Sequence, residues 1–172
     1  MNRLILFVIS FFLLNSFSSQ SALYSSYNKK AIKLYEKAIE CYQDISPFSG
    51  RGNLKGAEEY LLKSLAKDST FSEAYILLSQ VKVKMGDINS AIFYKEKMMT
   101  VNPIIPLVEY FYLAGMHMAI GSYEKCLKNA VRYKNSPLAD QRYIGRIDKM
   151  IENCEFAIEA IKNPVDFNPI NL

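Results

Sequence analysis

The side chains that most often carry enzyme chemistry are sparse in this sequence and are not spaced for it. His117 is the only histidine, and no cysteine or second histidine lies at a metal-ligand spacing from it. Glu58 and Glu59 are adjacent, so on a helix they point away from each other and do not form an acid–base pair. No serine lies in a Gly-x-Ser-x-Gly motif. We therefore expect no catalytic residue, no metal site and no cofactor, and hence no enzyme.

Patterns that bind phosphate groups or nucleic acids are also missing. The glycines of the GRGNLKG stretch, Gly50, Gly52 and Gly56, lack the Gly-x-Gly-x-x-Gly spacing and lie between two predicted helices, with no strand before them. The 21 Lys and Arg residues exceed the 17 Asp and Glu residues, but they are spread along the chain with acids nearby. A nucleic-acid-binding protein more often clusters them on one face. We expect no nucleic-acid partner and no small-molecule substrate.

Three cysteines, Cys41, Cys126 and Cys154, allow at most one disulfide within the chain. No Cys-x-x-Cys motif occurs, which argues against a zinc knuckle or a thioredoxin-type site. A bridge between Cys126 and Cys154 is disfavoured, because antiparallel pairing of the last two predicted helices places Cys126 nearer to residue 147. We expect Cys126 to pack in the core. The redox state of the three cysteines stays open.

Residues 1–22 have the pattern of a signal peptide for export. Arg3 provides the positively charged first part, the apolar run 4–14 follows with Ser10 as its one polar residue, and small residues come next, so that cleavage after Ser18 or after Ser21 fits. This run of 11 residues is shorter than the roughly 20 that span a bilayer, and an uncleaved anchor is the alternative. We expect the mature chain to be exported and soluble, so that any association with a membrane is indirect.

Three stretches of the chain, 51–69, 85–103 and 120–137, are similar to one another. Ala57 and Ala91 are 34 residues apart, and Ala91 and Cys126 are 35 apart. A glycine permits a sharp turn between antiparallel helices, and a small residue lets the two helices approach closely. Each stretch has such a glycine and, five positions later, such a small residue: Gly52 and Ala57, Gly86 and Ala91, Gly121 and Cys126.

Apolar residues at helical spacing between these turns predict seven helices, and the last covers the final repeat. Thr70 and Glu73 match a capping box before the third helix. Asp87 is placed to cap the fourth helix, and Ser136 with Pro137 to begin the seventh. The predicted ranges are 27–44, 54–67, 71–85, 88–101, 105–119, 122–134 and 137–162.

The 34-residue period, the turn glycines and the TVNP ending at residues 100–103 resemble the tetratricopeptide repeat (TPR). The resemblance implies an all-α TPR solenoid of about three helix pairs with a C-terminal capping helix, over residues 23–162. In TPR proteins the first helix of each pair lines a groove that binds a protein partner. Carried over onto the second and third repeats, the predicted groove consists of Ile76, Gln80, Val83, Lys84, Phe111 and Met118.

Residues 163–172 contain two prolines and no helical periodicity, which predicts an extended linker. Together with the repeats they resemble the N-terminal part of the PorE-like envelope proteins associated with type IX secretion, in which a TPR region precedes a PD40-type β-propeller and an OmpA-like domain. The chain ends where the propeller would begin, so peptidoglycan binding is not carried over. The chain is either a fragment of such a protein or a stand-alone module. The residues that match the family's junction segment are Asn163, Pro164, Val165, Phe167, Asn168, Pro169, Asn171 and Leu172.

These patterns predict a protein-binding scaffold without catalytic activity. The family resemblance implies a periplasmic scaffold domain in a type IX secretion-associated envelope complex, whose partner is another component of that complex. The alternative is a stand-alone exported TPR module that acts through self-association. The sequence leaves the identity of the partner and the oligomeric state open.

Overall fold

The computed structural model describes residues 24–44, 52–102 and 104–164. Within these ranges the chain forms seven α-helices and no strand, which confirms the predicted all-α class. The described residues fall into two compact units, divided within the third helix between Leu77 and Leu78. The helices are α1 (Lys29–Gln43), α2 (Leu54–Leu65), α3 (Ser72–Met85), α4 (Ile88–Val101), α5 (Val108–Ala119), α6 (Tyr123–Lys134) and α7 (Gln141–Lys162).

Two of the predicted segments fall outside this description. They are the signal peptide, residues 1–22, and the part of the linker beyond Pro164. In the part of the chain that is described, no helix is both long enough and apolar enough to cross a membrane. Export and the limits of the linker therefore stay predictions.

The repeat register agrees with the structure at its turns and helix crossings. Gly86 and Gly121 have φ angles of +83° and +71°, a conformation in which a side chain is strained. At Gly52 the constraint is a close approach, because a Cβ atom there would overlap the main-chain carbonyl oxygen of Tyr42. The small residues of the three repeats are all fully buried: Ala57, Ala91 and Cys126.

Helix α4 has the predicted bounds because its cap is set by local chemistry. The Asp87 side chain accepts a hydrogen bond from the backbone N–H of Ser90 at 3.1 Å. This bond satisfies one of the N–H groups that the first turn of a helix leaves unpaired.

The prediction that Ser136 caps α7, with Pro137 as its first residue, is wrong. The Ser136 hydroxyl accepts a hydrogen bond from the N–H of Leu138 at 3.2 Å, within a turn that precedes the helix. Helix α7 begins later, where the Asp140 side chain accepts a hydrogen bond from the N–H of Arg142 at 2.9 Å. Asp140 has the extended backbone of an N-cap and lies directly before the first helical residue.

In the first unit, α1 and α2 pack against each other. The Ser64 hydroxyl of α2 donates a hydrogen bond to the carbonyl oxygen of Ala31 in α1 at 2.7 Å. Next to this crossing, the ring of Tyr35 lies 4.9 Å from that of Phe71 and 5.4 Å from that of Tyr24, centroid to centroid. Burial of Tyr35 in this cluster, more than the nearby charges, raises its pKa to about 12.

Residues 25–28, here named the N-terminal strap, are tied to the turn between α2 and α3. The Glu73 carboxylate accepts a hydrogen bond from the backbone N–H of Ser25 at 3.0 Å and another from its hydroxyl. The Asn28 side chain donates to the carbonyl oxygen of Lys67 at 2.9 Å. The strap thus joins the start of the described chain to the beginning of α3.

The same bonds explain why the capping box predicted for α3 is wrong. Glu73 is engaged by the N-terminal strap, and the backbone N–H of Thr70 donates instead to the Asp68 carboxylate at 2.9 Å. The Thr70 hydroxyl donates to the Asp68 carboxylate at 2.7 Å. Hydrogen bonds from Ser26 and Thr70 hold the pKa of Asp68 below its ordinary value.

In the second unit, α6 packs against both α5 and α7. Ile147 and Cys154, two turns apart on one face of α7, are fully buried, as expected of a helix that caps a repeat. The buried core of these three helices consists of Tyr110, Phe111, Ala114, Cys126, Ala130, Tyr133, Ile147 and Cys154.

The thiols of Cys126 and Cys154 are neighbours in this core, although the predicted helix pairing placed Cys126 nearer to residue 147. They are not joined by a disulfide. Burial, followed by the adjoining Cys154 thiol, raises the pKa of Cys126 to about 12. Cys126 therefore packs in the core as predicted, against α7.

A buried ion pair joins α4 to the first turn of α5. The Lys95 Nζ atom lies 2.5 Å from Glu109 Oε2, and the two side chains are 3% and 9% exposed. The Lys95 ammonium also lies 5.6 Å from the ring centroid of Tyr112. The negative charge of Glu109 is further stabilised by its position in the first turn of α5, at the positive end of the helix dipole.

Candidate functional site

Three of the six residues of the predicted groove form an exposed patch on α3. Gln80, Val83 and Lys84 are all exposed, and the Val83 side chain is 40% exposed. Their i, i+3 and i+4 spacing places them next to one another on the helix surface. An apolar side chain between an amide and a charged group gives this patch the mixed character of a protein contact surface. We call these three residues the α3 patch.

The other three predicted groove residues are less accessible. Ile76, in the first unit, and Met118, on α5, are partly buried, and Met118 packs against the α5–α7 core. Phe111 is only 5% exposed, and its ring lies 4.7 Å from that of Tyr143, centroid to centroid. Phe111 thus has almost no surface to offer a partner, whereas the adjacent Tyr112 is 47% exposed.

The second unit also contains a cleft that the sequence did not predict. It lies among α4, α5 and α6 and has a volume of about 410 Å³, within the range of ligand-binding pockets. We call it the α4–α6 cleft. One wall is apolar and one is basic, and its residues are Glu96, Met99, Ile105, Tyr110, Leu113, His117, Lys125, Lys128, Asn129 and Arg132.

The basic wall is a row of cations along α6. Lys125, Lys128 and Arg132 are exposed and follow an i, i+3, i+7 spacing, which places them on one face of the helix. Among the described residues, none of the three has a carboxylate within 4.0 Å. The guanidinium of Arg132 lies over the ring of Tyr110, with its Cζ atom 4.3 Å from the ring centroid.

His117 lies at the base of the cleft and is 2% exposed. Within the described structure, neither of its ring nitrogens has a hydrogen-bond partner. The nearest acid is Glu96, whose Oε1 atom is 3.9 Å from Nε2, beyond hydrogen-bond distance. Burial, then the charge of Lys125, lowers the pKa of His117 below its ordinary value. His117 is therefore a neutral, buried imidazole whose donor and acceptor are both unused.

Sequence reasoning missed this cleft because it looked for contacts only on the first helix of each repeat. The spacing of Lys125, Lys128 and Arg132 was a visible signal. Taken alone, however, such a row is ordinary on the outer face of a solvated helix. Only the packing of α5 beside α6 sets it against an apolar wall and a buried histidine.

At the level of sequence, neither a protein-family model nor a curated protein matches the chain. Solved structures do match its fold. The type III secretion chaperone SycD of Yersinia enterocolitica, in complex with a peptide of the translocator YopD, superposes with a TM-score of 0.57 at 17% identity, over 73% of this chain and 92% of that one. A second SycD structure gives 0.56 at 19% identity, over 74% and 85%.

The protein MamA matches with a TM-score of 0.51 at 20% identity, over 81% of this chain and 79% of that one. The chain has a TPR-type helical-repeat fold. This agrees with the period of the turn glycines and small residues. Identities of this size show the fold alone, so the function has to be argued from the surfaces described above.

Proposed function

We propose that the chain is a protein-binding scaffold of the TPR type and has no catalytic role. The observation that carries the proposal is the α3 patch, in which Gln80, Val83 and Lys84 are exposed side by side on the first helix of a repeat. That helix lines the binding groove of TPR proteins. SycD, which shares the fold, was crystallised with a translocator peptide, and this supports a protein partner.

The cellular setting is a further part of this proposal. We place the chain in the periplasm, in an envelope complex associated with type IX secretion. The apolar run 4–14 with its small-residue cleavage positions supports export. The segment 163–172, which matches the junction of PorE-like proteins, supports the type of complex.

A second candidate function is self-association of a stand-alone module. Exposed aromatic side chains favour it, namely Phe93 on α4 and Phe156 on α7. Aromatic side chains are enriched at contact surfaces between protein subunits. Sedimentation analysis of the purified chain separates the candidates. A concentration-dependent dimer that Phe93→Ser or Phe156→Ser abolishes would favour self-association.

Site-specific photocrosslinking in the native cell tests the main proposal. A photoreactive amino acid replaces Val83 in one strain and Lys149, an exposed residue of α7, in a control strain. We expect a discrete crosslinked protein from position 83 and none from position 149. Substituting Gln80→Ala and Lys84→Ala in the Val83 strain should reduce the yield of that product.

The identity of the crosslinked protein then decides the finer proposal. An envelope or secretion component supports the type IX setting, and a cytoplasmic protein contradicts it. Equal, diffuse labelling from both positions would contradict binding at the α3 patch.

A further inference from the structure

The α4–α6 cleft lies outside the predicted groove and has three features that together specify a ligand. They are the cation row of α6, an apolar wall facing it, and the unpartnered His117 at its base. Each feature restricts the chemistry of what can bind there.

The cation row requires negative charge. Lys125, Lys128 and Arg132 extend over seven residues of α6, which is about 10 Å at 1.5 Å per residue. The contact with the Tyr110 ring restrains the Arg132 guanidinium. A guanidinium held in this way presents its N–H groups as a fork that matches a carboxylate. Glu96 is the only acid among the residues that line the cleft.

The apolar wall requires a hydrophobic group beside that charge. Met99, Ile105 and Leu113 line the cleft together with the cations. Met99 and Ile105 are only partly buried, so they still have surface to offer. A free inorganic anion would leave this wall in contact with water.

His117 favours a peptide over a phosphate group. A neutral imidazole has one donor and one acceptor nitrogen, and a buried polar group without a partner is costly. Both ring nitrogens are buried in the free chain; once the cleft opens to expose them, a peptide backbone supplies both a C=O acceptor and an N–H donor. A phosphate dianion supplies acceptors only.

We propose that the α4–α6 cleft binds an acidic, extended segment of a partner protein in which carboxylate and apolar side chains alternate. In an extended chain, side chains two residues apart lie about 7 Å apart on the same face. Two or three alternating carboxylates therefore match the length of the cation row, while the apolar residues between them face Met99 and Ile105. The inference rests on the proposed protein-binding function and adds a second contact site to the α3 patch.

The test uses the full chain and a fluorescein-labelled peptide that contains Asp-Leu-Asp-Leu-Asp within a Gly-Ser flank. Its neutral counterpart replaces each Asp with Asn. Fluorescence anisotropy in low salt should show the acidic peptide binding about tenfold more tightly or better, and rising salt should remove the difference.

Two charge-reversed variants locate the binding. Lys125→Glu with Lys128→Glu should abolish the preference for the acidic peptide. Lys30→Glu with Lys33→Glu, which reverses two exposed lysines of α1, changes the net charge equally and should preserve the preference. Far-UV CD and thermal melting of each variant show that it is folded.

The proposal is overturned if the acidic and neutral peptides bind equally, if neither binds at about 1 mM, or if both variants lose binding to the same extent. The last result would show attraction by net charge alone. These results are independent of the crosslink at position 83. If a partner is crosslinked at position 83 but the acidic peptide does not bind, the cleft proposal is wrong and the scaffold proposal still holds.

Discussion

Replacing one member of the buried Lys95–Glu109 pair should destabilise the protein more than replacing both. The Nζ and Oε2 atoms are 2.5 Å apart, and the side chains are almost fully buried. At that separation the attraction is about 7 kcal/mol for an effective dielectric constant of about 20. It offsets a desolvation cost of several kcal/mol for each ion. Removal of one charge therefore leaves the other buried without compensation.

We expect Glu109→Leu and Lys95→Met each to lower the free energy of unfolding by about 3–5 kcal/mol. The double variant buries neither charge and should lie within about 1 kcal/mol of the parent. The free energy of unfolding of a small domain is only about 5–15 kcal/mol in total. A loss of this size could therefore unfold the protein, so Glu109→Gln serves as the milder single variant. Urea unfolding followed by far-UV CD, with linear extrapolation, gives each value.

Tyr112→Leu is the control for the aromatic neighbour of Lys95. It should cost only about 0.5–1 kcal/mol, since it removes a partly exposed cation–π contact and leaves the ion pair intact. The reasoning is refuted if the losses in the two single variants simply add in the double variant. Additivity would mean that each side chain stabilises the protein through its own packing.

Three further predictions concern Ala91, His117 and the three cysteines. Ala91→Leu should lower the free energy of unfolding by about 1–3 kcal/mol through overpacking, because Ala91 is fully buried where α3 and α4 meet and its carbonyl accepts the Ser79 hydroxyl at 2.8 Å. Because burial lowers the pKa of His117 below 6.5, the unfolded chain binds a proton more readily than the folded one. The contribution of His117 to stability should be constant above about pH 7 and fall as the pH drops through 6.5, by at most about 1.4 kcal/mol per pH unit. Iodoacetamide should modify Cys41 alone in the native protein, since Cys126 and Cys154 are buried and burial raises the pKa of Cys126 to about 12.

Each of these has a direct check. Thermal melting of Ala91→Leu that matches the parent would mean that the repeat register is misplaced. Urea titrations at several pH values should show the slope in the parent and lose it in His117→Gln; an equal slope in both would assign it to other groups. Mass spectrometry should count one adduct on the native chain and three after denaturation. A single adduct after denaturation without reductant would reveal a Cys126–Cys154 disulfide.

The repeat could be predicted because its signals are local. The positive φ at Gly86 and Gly121 and the closeness of the helices at Ala57 and Ala91 each restrict the residue type at one position. Such restrictions are visible in a sequence whatever lies elsewhere in the fold. The α4 cap at Asp87 is of the same kind.

What could not be predicted depends on partners distant in the sequence. Glu73 matches a capping box, but Ser25 competes for its carboxylate from 48 residues away. Phe111 occupies a groove position of the TPR pattern, yet the ring of Tyr143 on α7 covers it. The cation row of α6 becomes part of a cleft only because α4 and α5 place the apolar wall and His117 beside it.

The N-terminal strap has a consequence for the order of folding during synthesis. Its hydrogen bonds from Ser25 to Glu73 and from Asn28 to Lys67 span 48 and 39 residues. They cannot form until the chain has emerged from the ribosome, or from an export channel, as far as the beginning of α3. Until then α1 and α2 can pack only against each other, because a contact between residues distant in sequence forms only after the second residue has been synthesised. The strap is therefore among the last segments of its unit to be fixed, although it is synthesised before α1.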